Sequence, residues 1–99
     1  MIIFTWGEKK NASNKKKHGI DFTEASSAFS DEDALFKYDP KHSDEEDRFV
    51  LLGYTNTGKL VVVCHCSTDD EKIIRIFSAR KAEKNEAKQY WEMNYAKRI

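Results

Sequence analysis

The sequence predicts one α+β domain in which a mainly antiparallel sheet is flanked by two N-terminal helices and one C-terminal helix. Three features support this prediction: a lysine-rich stretch closed by glycine, three β-rich segments separated by short turns, and aromatic residues at helical spacing near the end. A length of 99 residues suits a single domain spanning 1–99 with one modest core. Because 39% of the residues are hydrophobic, the chain is too apolar to be disordered throughout.

The N-terminal third predicts a strand followed by two short helices. Residues 1–6, MIIFTW, are mostly β-branched or aromatic, which is typical of a strand. Residues 8–18 are polar and rich in lysine, and they favour an exposed helix that ends at Gly19 as its C-terminal cap. Asp21 and Glu24 have the spacing of a capping box for a second helix. The apolar face of that helix would carry Phe22, Ala25, Ala28 and Phe29.

The middle of the chain predicts one short strand followed by a meander of three. The short strand, ALFKYD at 34–39, is broken by Pro40. Residues 47–54, 59–67 and 72–80 are rich in β-branched and aromatic side chains and are separated by the turns TNTG and TDDE. Such consecutive strands predict antiparallel pairing, and the nearly continuous apolar run of the second meander strand places it centrally.

The last segment predicts a helix that packs on the sheet. Beyond Ala82, a set of mainly aromatic residues recurs at spacings of three and four. They are Ala87, Tyr90, Trp91, Asn94 and Tyr95. We expect them to form an aromatic stripe in the core.

The strand register decides which candidate side chains share a face of the sheet. If both meander turns contain two residues, Arg48 lies opposite His65, and His65 lies opposite Ile74. In that register Arg80 shares the face of His65, whereas Arg75 lies on the other face. A slip of one residue would reverse this sidedness, because successive side chains in a strand alternate between faces.

The string Cys64-His65-Cys66 does not predict a metal site. Residues two apart on a strand face the same way, so His65 would point away from both thiols. The sequence has no second cysteine pair to complete a zinc site, and small buried residues in a reducing compartment are the simpler interpretation. The sequence also has no phosphate-binding glycine loop and no dinucleotide fingerprint, so we expect no metal and no cofactor.

The charges are unevenly distributed, although 17 basic residues balance 17 acidic ones. Residues 8–19 and 72–99 are predominantly basic, whereas residues 30–47 are predominantly acidic. Such a surface could bind a polyanion on one side and a basic partner on the other, the alternative being charges that only face solvent. The longest apolar run is too short to span a bilayer, and the first residues do not resemble a signal peptide. We therefore expect a cytoplasmic protein that does not contact a membrane.

Three segments resemble the BrnT family of bacterial toxins. These segments are FTW…NKKKHGIDFTEA, HSDEEDRFVLLGY and IIRIFSARKAEKNEAKQY, which lie in the family's order and cover roughly 4–90. One difference is that the family commonly has an acidic residue directly after the tryptophan, where this chain has Gly7 before Glu8. The resemblance implies a RelE-like fold and a ribonuclease toxin of a type II toxin–antitoxin system that cuts RNA and inhibits translation.

The resemblance also implies partners. Its substrate would be RNA, and its inhibitor would be a cognate ribbon-helix-helix antitoxin similar to BrnA. Two toxins and two antitoxins would form a heterotetramer, and this complex would contact operator DNA only through the antitoxin.

Metal-independent cleavage of RNA requires three kinds of group. A base takes the proton of the 2′-hydroxyl, cations hold the phosphorane, and an acid protonates the leaving 5′-oxygen. A planar guanidinium can grip two phosphate oxygens, so the candidate phosphate clamps are Arg48, Arg75 and Arg80. The candidate acids and bases are His18, His65 and Glu86. Further RNA-binding groups would be Lys16, Lys17 and Lys81.

Each candidate also has a structural alternative. The arginines could pair with acids across the sheet, and His18 could interact only with the helix dipole. His65 could be a core histidine, and Glu86 could be a charge on a helix surface. For the whole protein, the alternatives are a non-catalytic module that binds nucleic acid or a partner, and a purely structural role.

Overall fold

The computed structural model describes residues 1–98, which form a five-stranded sheet and three α-helices. The strands are β1 (Ile3–Thr5), β2 (Leu35–Tyr38), β3 (Phe49–Tyr54), β4 (Leu60–Ser67) and β5 (Ile73–Lys81). The helices are α1 (Glu8–His18), α2 (Phe22–Ser26) and α3 (Lys84–Arg98), with short 3-10 helices at Ser27–Ser30 and Pro40–His42. The predicted α+β class is confirmed, and each predicted element is present within a few residues of its expected bounds.

The sheet is mixed, which corrects the prediction of a mainly antiparallel sheet. The strand order is β1-β5-β4-β3-β2, and the pairs β2–β3, β3–β4 and β4–β5 are antiparallel. The first strand instead runs parallel to the last one, with Ile3 opposite Ile73. Local patterns do not reveal this pairing, because the two strands are separated by most of the chain.

Helices α1 and α2 cover one side of the sheet, here called the helix face. Its central side chains are those of Val61, Val63, Ile76 and Ala79, which are fully buried or nearly so. Beyond the end of β1, the buried Asn14 of α1 takes the place of a strand at the edge of β5. Its Nδ2 donates to the Ala79 carbonyl at 2.8 Å, and its Oδ1 accepts from the Ala79 N–H at 3.1 Å. A side-chain amide thus extends the pairing of β5 where β1 has ended.

The predicted ends of the first two helices are confirmed in part. Gly19 adopts a φ of 74° and caps α1 by donating its N–H to the Lys15 carbonyl. Asp21 caps α2 by accepting from the Thr23 N–H. Glu24, however, does not complete a capping box, because its carboxylate binds Thr57 and Lys59 in the β3–β4 connection.

The predicted aromatic stripe of α3 is only partly buried. Tyr90 packs on Leu52 and Val62, and Asn94 is also buried. Trp91 and Tyr95 are 57% and 69% exposed. Helix α3 therefore packs on the side of the sheet opposite to the helix face. It contacts that side along a narrow strip and leaves part of it uncovered.

Both meander turns are longer than predicted, so the predicted registers are wrong. The β3–β4 loop has three residues, with the Thr55 N–H donating to the Lys59 carbonyl and Gly58 at φ 82°. Phe49, and not Arg48, therefore lies opposite His65.

The β4–β5 loop has four residues, since the Thr68 N–H donates to the Ile73 carbonyl and Glu71 takes a positive φ of 57°. As a result His65 lies opposite Ile76 and not opposite Ile74.

Candidate functional site

A β-bulge in β5 places two of the candidate arginines on one side of the sheet. Cys64 pairs with Ser78, but the next residue of β4, His65, pairs with Ile76. Phe77 is thus an extra residue that has no partner in β4, and it reverses the alternation of side chains along β5.

The consequence of the bulge is clear from the partners on either side of it. Arg75 lies opposite Cys66, and Arg80 lies opposite Val62. Val62 and Cys66 are four residues apart on the regular strand β4, so they share a face, and directly paired residues share a face as well. Arg75 and Arg80 therefore lie on the same side, here called the arginine face. The predicted placement of these arginines on opposite faces is wrong.

Arg48 reaches the arginine face from the start of β3. Its guanidinium carbon lies 3.8 Å from the centre of the Phe77 ring, which the arginine covers. Its Nη2 is 3.5 Å from Glu46, and its buried Nε has no partner among the described residues. The Arg75 guanidinium is 5.9 Å from the same ring. The bulged phenylalanine thus brings two guanidinium groups together.

Arg80 is held by a bidentate ion pair with Glu86. Both N···O distances are 2.8 Å, and Glu86 Oε1 also accepts from the Glu83 N–H at the start of α3. The Arg80 hydrogen bonds are the main reason that the pKa of Glu86 lies below its usual value. Glu86 is therefore ionised at neutral pH, and it fixes both the arginine and the first turn of the helix.

A groove of about 480 Å³ runs along the arginine face between β2 and the start of α3. It is lined on one side by Lys37, Asp39 and Lys41, and on the other by Ser78, Arg80 and Glu86. The groove has cationic side chains on both sides. It can therefore hold an anionic chain against the guanidinium of Arg80.

His65 lies on the opposite side of the sheet from the arginines. It is 4% exposed, its Nδ1 donates to the Val63 carbonyl at 3.1 Å, and its ring contacts Phe29 at 4.8 Å. Burial lowers the pKa of His65, only partly opposed by the hydrogen bond to Val63. The structure thus does not bring this histidine together with the arginines.

The lysine candidates and His18 also lie away from the groove. Lys16, Lys17 and His18 are in the last turn of α1, and His18 makes none of the hydrogen bonds or ion pairs found within residues 1–98. Lys81 pairs with Val61 and so belongs to the helix face, the side opposite to Arg80. The structure therefore places Arg48, Arg75, Arg80 and Glu86 on the arginine face, and it separates them from the other candidates.

The structure adds Phe77 and the pair Asp39 and His42 to the candidate site. The sequence placed Phe77 in a regular strand. The spacing of five residues between Arg75 and Arg80 was an available signal for a bulge. In a regular strand, side chains five residues apart lie on opposite faces, so two arginines of one site at this spacing require a bulge between them. The pair is signalled by an aspartate three residues before a histidine around Pro40, where a short helical turn brings them together.

The Cys66 thiol on the arginine face is a poor nucleophile. Burial, together with the Glu46 carboxylate, raises the pKa of Cys66. Within residues 1–98, no group of three or more histidine, cysteine, aspartate or glutamate side chains is arranged to hold a metal ion. In the same part of the chain, no helix is long and apolar enough to cross a membrane.

One family profile matches most of the chain. A family profile described as the ribonuclease toxin BrnT of type II toxin–antitoxin systems matches residues 6–86. This chain belongs to the BrnT family. As a BrnT protein it is a ribonuclease toxin, with RNA as its substrate and an antitoxin as its partner. The family therefore decides between the functions left open by the sequence, in favour of the enzyme over the non-catalytic binding module.

A solved structure shows the same fold. The crystal structure of the Brucella abortus ribonuclease toxin BrnT has a TM-score of 0.60 and 23% sequence identity to this chain. The similarity covers 85% of this chain and 100% of the other one. No curated protein matches this sequence.

Proposed function

We propose that the arginine face is the site at which this BrnT toxin cleaves RNA, with Arg48, Arg75 and Arg80 binding the scissile phosphate. The observation that carries this proposal is the bulge at Phe77, because without it Arg75 and Arg80 would lie on opposite faces. Arg75 is exposed and has no ion pair among the described residues, so it is free to bind a phosphate. The family assignment supports RNA as the substrate.

The proposed reaction is an attack within the RNA strand. The 2′-oxygen forms a bond to phosphorus while the bond from phosphorus to the 5′-oxygen breaks, which leaves a 2′,3′-cyclic phosphate and a 5′-hydroxyl. The guanidinium groups stabilise the charge that develops on the phosphorane, so the step needs no metal ion.

Glu86 is the proposed base that takes the 2′-hydroxyl proton. Its carboxylate is ionised and lies 2.8 Å from the guanidinium that binds the phosphate. When Arg80 turns toward the phosphate, Glu86 loses its strongest hydrogen-bond donors and becomes a better proton acceptor.

The partner is proposed to be a ribbon-helix-helix antitoxin similar to BrnA. Two antitoxin chains would bring two toxins together, because a symmetric dimer offers two equivalent sites. Operator DNA would be bound only through the antitoxin, and the complex would act in the cytoplasm. Light scattering of the co-expressed pair should give the mass of two toxins and two antitoxins.

The cleavage itself is tested with purified protein and end-labelled RNA in the presence of EDTA. We expect cuts that carry 2′,3′-cyclic phosphate ends, and a slower rate by at least about 100-fold for Glu86→Gln. Expression of the wild-type chain should also slow translation, which [³⁵S]methionine incorporation measures. Binding of RNA without any cleavage, in the presence or absence of Mg²⁺, would contradict the proposal.

A further inference from the structure

We propose that His42 is the general acid that protonates the leaving 5′-oxygen, and that Asp39 is the residue that positions it. This inference deepens the proposed function and rests on it. It assigns a catalytic role to the second of the three histidines along the chain, which lies in the connection between β2 and β3.

The pair is built by a short helical turn. His42 closes the 3-10 helix Pro40–His42, and its Nδ1 lies 2.8 Å from Asp39 Oδ2. The other carboxylate oxygen of Asp39 accepts from the Lys41 N–H at 3.2 Å. Both oxygens of the aspartate are thus engaged, and the imidazole is held at one nitrogen.

The same turn is tied directly to Arg48. The Asp39 N–H donates to the Arg48 carbonyl at 2.9 Å. Ser43 Oγ donates to the Asp39 carbonyl at 2.6 Å and accepts from the Arg48 N–H at 2.9 Å. The segment that carries the histidine is therefore fixed to the strand end that carries a phosphate-binding arginine.

The location of the pair places it beside the phosphate site. Asp39 lines the groove that contains Arg80 and Glu86. His42 lines the adjoining cavity of about 240 Å³ together with Arg48, and Lys41 borders both. Glu86 thus faces the groove from the side formed by β5 and α3. The turn that carries the histidine approaches the groove from the opposite side, next to β2. Acid and base on opposite sides of the phosphate are what an in-line attack requires, since the entering and leaving oxygens lie on opposite sides of phosphorus.

The hydrogen bond to Asp39 fixes which nitrogen of His42 reacts. An ionised carboxylate only accepts hydrogen bonds, so Nδ1 carries a proton, and Nε2 is the nitrogen that can exchange one. The side chain of His42 is 64% exposed, and its Nε2 has no partner among the described residues. In the reaction, Glu86 takes the 2′-hydroxyl proton and Nε2 of protonated His42 gives its proton to the 5′-oxygen. Both groups then return to their starting states by exchange with water.

The experiment compares two RNA substrates in single-turnover cleavage. One has the natural 5′-oxygen at the cleaved bond, and the other has a 5′-bridging sulfur, a leaving group that needs no protonation. We expect His42→Ala to cut the natural substrate at least about 100-fold more slowly than wild type. On the sulfur substrate, it should cut within about threefold of the wild-type rate. Lys88→Ala, an exposed change on α3, is the control and should match wild type on both substrates.

Other outcomes separate this inference from the proposed function. If His42→Ala slows cleavage of both substrates equally, His42 is not the general acid. If instead His18→Ala slows only cleavage of the natural substrate and His42→Ala does not, the acid is His18. If wild type cuts neither substrate, the proposed function itself fails. Arg80→Ala should lose activity on both substrates, because the phosphate charge must be stabilised in either case.

Asp39→Asn tests the positioning role. The amide keeps the acceptor for the Lys41 N–H but removes the negative charge beside the imidazole. The charged groups that line the cavity with His42 are unchanged: Lys41, Asp44, Glu45, Glu46 and Arg48. We expect the single-turnover rate on the natural RNA to fall by about 10-fold, because the imidazole loses the carboxylate that orients it, and the rate on the 5′-bridging sulfur substrate to stay within about threefold of wild type. An unchanged rate on the natural RNA, or an equal loss on both substrates, would overturn the role of Asp39.

Discussion

At the scale of the residue, the ion pair between Arg80 and Glu86 contributes both to the proposed chemistry and to the structure of the chain. Glu86 binds the Arg80 guanidinium with both oxygens and also accepts from the N–H of Glu83, the residue just before α3. A carboxylate at the third position of a helix commonly stabilises its N-terminus. Here the same carboxylate lies in the groove, so a group that stabilises the helix is also available as a base.

The stability of this pair should depend on pH. The pKa of Glu86 in the folded chain is below its ordinary value of 4.5, chiefly because of the Arg80 hydrogen bonds. Its contribution is therefore present above pH 4.5 and is lost as the pH falls through the folded pKa. At pH 7 we expect Glu86→Gln to lower the free energy of unfolding by about 1 kcal/mol, a value reduced for solvent screening because Arg80 is 38% exposed.

Urea unfolding at pH 7 and at about pH 3 measures this difference. The gap between wild type and Glu86→Gln should narrow at the lower pH. The matched control is Glu92→Gln, because Glu92 is 66% exposed and only approaches Lys88 at 3.8 Å. A gap that stays constant between the two pH values would show that the ion pair does not stabilise the fold.

At the scale of the element, the conformation of β5 depends on the contacts along its edge as well as on its own sequence. Its parallel partner β1 reaches only Arg75, and Asn14 then bonds to the backbone of Ala79. Between these two contacts lies the bulge at Phe77. The strand is therefore held on both sides of the irregularity that places the two arginines on one face.

Asn14→Ala tests how much this edge contact contributes. The substitution leaves the N–H and the carbonyl of the fully buried Ala79 without their partner. We expect the free energy of unfolding to fall by about 2–4 kcal/mol in urea denaturation. Ser13→Ala, at an exposed position on the same helix, should change it by less than about 0.5 kcal/mol. Equal effects of the two substitutions would contradict the role of Asn14.

The sequence predicts the positions of the helices and strands better than it predicts the register between the strands. β-branched runs and Gly19 locate strands and helices because these signals are local. Gly58 was an available signal for a three-residue loop, since glycine readily adopts the positive φ at its third position. By contrast, the positive φ of Glu71 and the bulge at Phe77 have no glycine to mark them. The bulge decides which face Arg80 occupies, and the three-residue β3–β4 loop decides the face of Arg48, and so the candidate site could be predicted by residue type but not by sidedness.

At the scale of the whole molecule, the two faces of the sheet have different roles. The helix face holds most of the core and includes His65, whose neutral ring packs among aromatic side chains. The arginine face is only partly covered by α3, and its open part contains the groove. The sequence grouped its candidate residues by charge. In the structure the sheet separates them, because some are buried in the helix face, some lie away from the groove and some line the groove.

The central claim is that the arginine face binds and cleaves RNA, and adjacent residues on opposite faces test it most directly. Arg80 lies on the arginine face and Lys81 on the helix face, so replacing either with alanine removes one positive charge from neighbouring positions. The measurement is the single-turnover cleavage rate of end-labelled RNA by the two variants, with circular dichroism to verify folding. We expect Arg80→Ala to be slower than wild type by at least about 100-fold and Lys81→Ala to stay within about twofold. Equal losses for the two variants, or full activity of folded Arg80→Ala, would contradict the account.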